Sequence, residues 1–181
     1  MSKETALLVI DVQVGVVDWS EPAEEKGRVL ARINDLLARA RASNAPVIYV
    51  QHDGYEGGPL SVGSPGWEIH PAIAPADGET VIRKRAADAF HETPLKAKLE
   101  ALGIKHLVVT GCRTQYCVDT TVRQATTLGY DVTLARDAHT TVDNEALTAA
   151  QIIAHHNETL DDFGTDEHVS LVKESSEISF D

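Results

Sequence analysis

Three side chains that together can activate a thiol stand at the ends of three short apolar runs. Cys117 lies in Val109-Thr-Gly-Cys-Arg-Thr-Gln-Tyr-Cys-Val-Asp-Thr-Thr121, where an apolar run stops at Gly111 and an amphipathic pattern begins. This places a thiol at the start of a helix, where unpaired backbone N–H groups and the helix dipole favour the thiolate. Asp11 ends the run Ala6-Leu-Leu-Val-Ile-Asp11, and Lys84 ends Thr80-Val-Ile-Arg-Lys84. A thiol, an acid and an amine are the parts of a nucleophilic cysteine site.

The chain around them alternates short β-rich runs with longer helical patterns. Strands are expected over residues 6–11, 46–51, 80–83, 106–111, 131–135 and 169–173, as near-continuous Val, Ile and Leu runs typical of parallel strands covered on both faces. Helices are expected over 23–43, 94–102, 118–128 and 144–160. In the first of them Val29, Ile33, Leu36, Leu37 and Ala40 share one face. Pro94 suits a first helical turn, and Gly103 and Gly129 stand where helices close before strands. This alternation predicts a three-layer α/β/α sandwich with a mostly parallel, right-handed sheet. Ligands of such sheets bind beyond the carboxyl ends of the strands. Asp11, Lys84 and Cys117 all lie at such ends, so one crevice can hold them.

With 181 residues and 43% hydrophobic side chains, the sequence reads as one soluble domain, 1–181. Sixteen basic against 28 acidic residues give a formal charge of −12, which argues against nucleic acid or an anionic membrane as partner. The start of the chain runs directly into a strand pattern, with no apolar stretch long enough for a signal peptide or a membrane span. Cys112 and Cys117 are too close to suggest a disulfide framework, so reduced thiols and a cytoplasmic location are expected. The irregular stretch 52–79, punctuated by Pro59, Pro65, Pro71 and Pro75, is long enough to be functional. Tyr55 and Trp67 within it suggest a packed lid.

Each residue also has an ordinary structural reading. An acid ending a strand can cap a helix or pair with a base. Lys84, between Arg83 and Arg85, can belong to a solvated basic patch. A free cysteine is most often a small buried hydrophobe. The helix-start position after Gly and Thr favours the nucleophile reading for Cys117, while Cys112 keeps the structural one.

Taken together, Leu8-Val-Ile-Asp-Val-Gln13, Lys84-Arg-Ala-Ala-Asp-Ala-Phe90 and the 110–121 segment resemble the isochorismatase-like cysteine hydrolases, which include nicotinamidases and related amidases. Gly129-Tyr-Asp-Val-Thr133 and Asp137-Ala-His-Thr-Thr141 extend the resemblance over nearly the whole chain. It implies a Rossmann-like sheet of about six strands in the order 3-2-1-4-5-6. It further implies a catalytic triad of Asp11, Lys84 and Cys117. A cis peptide between Cys112 and Arg113 is implied as well, with the backbone N–H groups of Arg113 and Cys117 forming an oxyanion hole.

The expected substrate-facing side chains are Gln13, His52, Trp67, Phe90 and Tyr116. Nicotinamidases hold a metal through an Asp-x-His pair after the second strand. Here the segment is Gln51-His52-Asp53-Gly54, so no metal and no cofactor are expected, with a His52, Asp53 and His70 site as the alternative. The run His155-His156-Asn157 lacks helical metal spacing and reads as a helix end or subunit contact. The activity implied is hydrolysis of an amide or carbamoyl C–N bond in a small molecule through a thioester. The alternatives are vinyl-ether cleavage and a catalytically silent scaffold. A homodimer or higher oligomer is expected, with Ala149, Ile152, Ile153 and His156 as the contact.

Overall fold

The computed structural model describes residues 4–18 and 23–180. Seven strands form one sheet: β1 (Thr5–Ile10), β2 (Val47–His52), β3 (Thr80–Lys84), β4 (His106–Cys112), β5 (Asp131–Thr140), β6 (Phe163–Gly164) and β7 (Val169–Lys173). Five helices accompany them: α1 (Val14–Val17), α2 (Ala23–Ala42), α3 (Leu95–Ala101), α4 (Asp119–Thr127) and α5 (Ala149–Thr159). The strand order is β3-β2-β1-β4-β5-β7-β6. Six strands run parallel in the expected order, and the two-residue β6 adds an antiparallel edge on β7.

The central strand β1 shows why the fold has three layers. Ala6, Leu8 and Ile10 pack into one apolar cluster with Leu95 and Leu99 of α3 and Val122 and Ala125 of α4. Leu7 and Val9 point the other way, onto Leu30, Ile33, Leu36, Leu37 and Ala40 of α2. Alternate residues of a strand face opposite sides, so an unbroken apolar run requires helices on both. No helix among the described residues is long and apolar enough to cross a membrane.

Two boundaries differ from expectation for identifiable reasons. Helix α5 begins at Ala149 because the Asn144 carboxamide accepts from the backbone of Ala146 and Leu147, making a turn. Thr148 then forms a capping box with Gln151. Strand β5 runs on to Thr140 because a bulge between Val109 and Gly111 lets β4 pair again, Gly111 with His139 and Cys112 with Thr140. That extension carries His139 alongside the helical turn that bears Cys117.

Candidate active site

The strand order reverses between β1 and β4, and the three reactive side chains meet there. Lys84 Nζ lies 2.7 Å from Asp11 Oδ2 and donates to Cys117 Sγ at 3.2 Å. It also donates to the Ala86 carbonyl at 2.9 Å and lies 3.3 Å from His52 Nδ1. An ammonium has three N–H donors and no lone pair, so four acceptors share three protons. Because Nζ has no lone pair, a hydrogen bond in this contact has Nδ1 of His52 accepting, with the imidazole proton on Nε2. Asp11 and Lys84 are only 3% and 2% exposed, while Cys117 is half-buried. Asp11 Oδ1 accepts no settled hydrogen bond, and the thiol of Cys117 interacts with this same carboxylate.

Burial decides the resting protonation. It pushes the Cys117 thiol up to about 12, helped by the Asp11 charge and only partly opposed by Lys84. The thiolate expected from the helix start is therefore not the resting form: removing the thiol from water outweighs the N–H groups of one turn. Burial also raises Asp11, against the pull of Lys84. For Lys84, burial disfavours the charge, but Asp11 and Cys117 outweigh it and hold the amine protonated. The resting site sets a protonated Lys84 between an Asp11 of raised pKa and a neutral thiol.

The local sequence builds this arrangement at two places. Gly111, next to last in β4, has φ +122, and a Cβ there would sit 2.1 Å from the Ile10 carbonyl oxygen. Only glycine lets β4 come this close to the start of the Asp11 segment. Residues Thr114–Val118 then make one wide π-helical turn, with Val118 N donating to Arg113 O at 3.3 Å, before α4 begins. The Cys112–Arg113 peptide that enters the turn is cis.

Strand β5 holds the same turn from the side. The Thr114 hydroxyl is 2.9 Å from His139 Nδ1, and His139 Nε2 is 3.0 Å from Asn157 Oδ1 on α5. Since Asn157 Nδ2 donates to Arg136 O, its oxygen faces the histidine and accepts from Nε2–H. Thr114 must then donate to Nδ1. Thr141 adds a hydroxyl donated to Gln115 at 2.5 Å. The sequence shows His139 only within the Asp137-Ala-His-Thr-Thr141 segment, and Asn157, expected at a helix end or subunit contact, instead turns inward onto His139.

Of the side chains expected to face substrate, His52 and Tyr116 line the cleft and three do not. The cleft, of about 330 Å³, is lined by Asp11, Val16, His52, Leu60, Arg113, Tyr116 and Cys117 among others. Gln13 is fully buried, with its amide spent on His52 N, His52 O and Trp67 O. Phe90 stacks on Tyr130 at 5.9 Å inside the core. Trp67 donates to Asp53 and lies under Arg83. Tyr55, at 77% exposure, is not packed as a lid residue. The wall is built instead by close backbone contact: Gly15 N donates to Gly66 O at 2.7 Å, which brings Leu60 to the cleft.

The alternative metal set is not assembled. Asp53 is held by Arg83 and Trp67, His70 accepts from Ala72 N, and His52 faces Lys84. Among the described residues no group of three His, Cys, Asp or Glu side chains is placed to hold a metal ion. In α5, Ala149 and Ile152 are buried within the subunit and cannot form the expected contact face.

Residues 5–157 match the family model described as the isochorismatase domain. Two streptothricin hydrolases from Streptomyces noursei are 44% and 42% identical over 138 residues. Those matches take in 76% of this chain but 50% and 55% of the relatives, so the chain spans about half their length. A ureidoacrylate amidohydrolase from Variovorax paradoxus is 26% identical over 188 residues, 83% of this chain and 74% of its own. The crystal structure of an isochorismatase from Pseudomonas putida KT2440 superposes with a TM-score of 0.86 at 32% identity, covering 97% of this chain and 90% of that one. The chain belongs to the isochorismatase family.

Proposed function

We propose that this member of the isochorismatase family hydrolyses an amide or carbamoyl C–N bond of a small molecule through a thioester on Cys117. The observation that carries the reading is the contact of Asp11, Lys84 and Cys117 in one buried cluster opening on a cleft. The names of the streptothricin hydrolases and the ureidoacrylate amidohydrolase support a hydrolytic, amide-directed activity.

Asp11 takes the thiol proton as sulfur attacks the carbonyl carbon, and the C=O electron pair moves to oxygen. The raised basicity of Asp11 suits this transfer, since a general base works best when its pKa approaches that of its task. Lys84 stays protonated and stabilises the charge passing between carboxylate and sulfur. Backbone N–H groups of Arg113 and Cys117 are the oxyanion donors in this scheme, each worth on the order of 3 kcal/mol in comparable chemistry. The tetrahedral adduct collapses, the C–N bond breaks, and protonated Asp11 gives its proton to the departing nitrogen. Asp11 then deprotonates a water that attacks the thioester, and the sulfur leaves and regains its proton.

The test is a panel of amides and ureides, including streptothricin and ureidoacrylate, assayed for amine or ammonia release, with mass spectrometry of the quenched protein. An acyl adduct on Cys117 is expected with any substrate turned over. Turnover that survives loss of the thiol would point to vinyl-ether or water-only chemistry instead. The same reading includes a homodimer or higher oligomer whose partner covers the open cleft near Tyr116, which is 56% exposed. Light scattering that finds a single 19.6 kDa chain in fully active protein would refute the oligomer.

A further inference from the structure

The chain carries a net charge of −12, yet its cleft is not acidic. Among the described residues the one carboxylate lining it, Asp11, is neutralised by Lys84 at 2.7 Å. Four other arginines are committed to partners of their own, Arg32 to Asp137, Arg41 to Glu79, Arg83 to Asp53 and Arg123 to Asp119, all within 3.0 Å, and Arg85 is exposed and outside the cleft. Arg39 is taken by two backbone carbonyls at 2.6 Å. Arg113 differs. It is half-buried, it lines the cleft, and among the described residues its guanidinium has no ion pair and no hydrogen bond.

A guanidinium without a partner keeps its five N–H donors and its charge available to a ligand. The position beside Cys117 supplies a use for it. The surrounding cleft wall is apolar at Val16, Leu60 and Ala87, so a substrate's charged group finds little competition from solvent or other side chains. His52 lines the same cleft. A single planar guanidinium matches a carboxylate through two parallel N–H···O bonds.

We propose that Arg113 is a specificity-determining residue that binds a carboxylate carried by the substrate. This inference rests on the amide-hydrolysis reading and narrows it: the substrate is a small amide or carbamoyl compound bearing a free carboxylate away from the scissile bond. The backbone N–H of Arg113 serves the reaction, and its side chain selects the molecule.

Iodoacetate and iodoacetamide test this without knowledge of the substrate. Each alkylates a thiol with loss of iodide, and they differ only in whether a carboxylate or a neutral amide accompanies the reacting carbon. The ratio of the two rates at Cys117, followed by peptide mapping, is expected to fall at least tenfold in Arg113→Met, with part of the preference kept in Arg113→Lys. A ratio unchanged in Arg113→Met overturns the proposal. A fall of the same size at 1 M as at low salt also overturns it, because attraction of an anion to a half-exposed charge weakens with screening. A lost preference with no hydrolysis of any amide would sink the proposed reaction and leave the carboxylate site standing. Equal hydrolysis of N-carbamoyl-β-alanine and N-propylurea, with the alkylation ratio also unchanged, would remove the site and leave the reaction.

Discussion

Lys84 and Asp11 form an ion pair of 2.7 Å in which the side chains are 0% and 4% exposed. Such a pair contributes little net stability, but breaking it strands a charge away from water. Lys84→Met should therefore destabilise the fold by roughly 3–5 kcal/mol. The double variant Asp11→Asn/Lys84→Met should recover most of that loss while remaining inactive. Urea unfolding of the two single variants and the double settles the point: losses that simply add would show that the two charges are not coupled.

Cys117→Ala should lose activity by on the order of 10³-fold or more while keeping wild-type stability, since the half-buried thiol contributes chemistry rather than core volume. Cys112→Ala should retain substantial activity, because its fully buried side chain sits behind the strand end. The reverse pattern would move the nucleophile to Cys112.

The neutral resting thiol makes a prediction in which reactivity and turnover part company. Burial comes first in raising Cys117 to about 12, and the Asp11 charge comes second. Removing that charge in Asp11→Asn should lower the thiol pKa and speed iodoacetamide alkylation of Cys117 near neutral pH. Turnover should fall in the same variant for want of a base. In the wild type, alkylation should keep rising with pH beyond the ordinary thiol range near ~8.5. A plateau below pH 8 would mean that a thiolate–ammonium pair already exists at rest.

Asp11, Lys84 and Cys117 can be placed from sequence because Asp11 and Lys84 close apolar runs, Cys117 opens the helix that follows a third, and parallel strands bring their carboxyl ends to one edge. Gln13 and Phe90 cannot be placed that way. A glutamine two residues past Asp11 looks like a pocket group until its amide is seen saturated by His52 and Trp67. Phe90 looks like a pocket wall until Tyr130 is found against it. The resting state of Cys117 is hidden for a related reason: position at a helix start is local and readable, whereas the depth of burial that outweighs it is set by three strands far apart in the chain. His139 escaped because a β-bulge, not an apolar run, extends β5 to it.

That histidine leads to the last prediction. His139 is fully buried between Thr114 and Asn157, and burial comes first in lowering its pKa from 6.5 to about 4. The folded state thus holds it neutral, while the unfolded chain takes up a proton below about pH 6.5. Its contribution is complete above 6.5, declines as pH falls from there to about 4, and is level below that. A displacement of this size corresponds to roughly 3 kcal/mol. His52 and His106 are lowered by burial too and act in the same direction. Subtracting the pH profile of His139→Gln from that of the wild type isolates the one residue. The wild type should lose more stability between pH 6.5 and 4 than the variant does, by roughly that amount. Because His139 holds Thr114 at the head of the turn bearing Cys117, His139→Gln should also slow alkylation of Cys117 or lower kcat more than it raises KM. Equal pH profiles for the two proteins would show that His139 is not the buried neutral strut described.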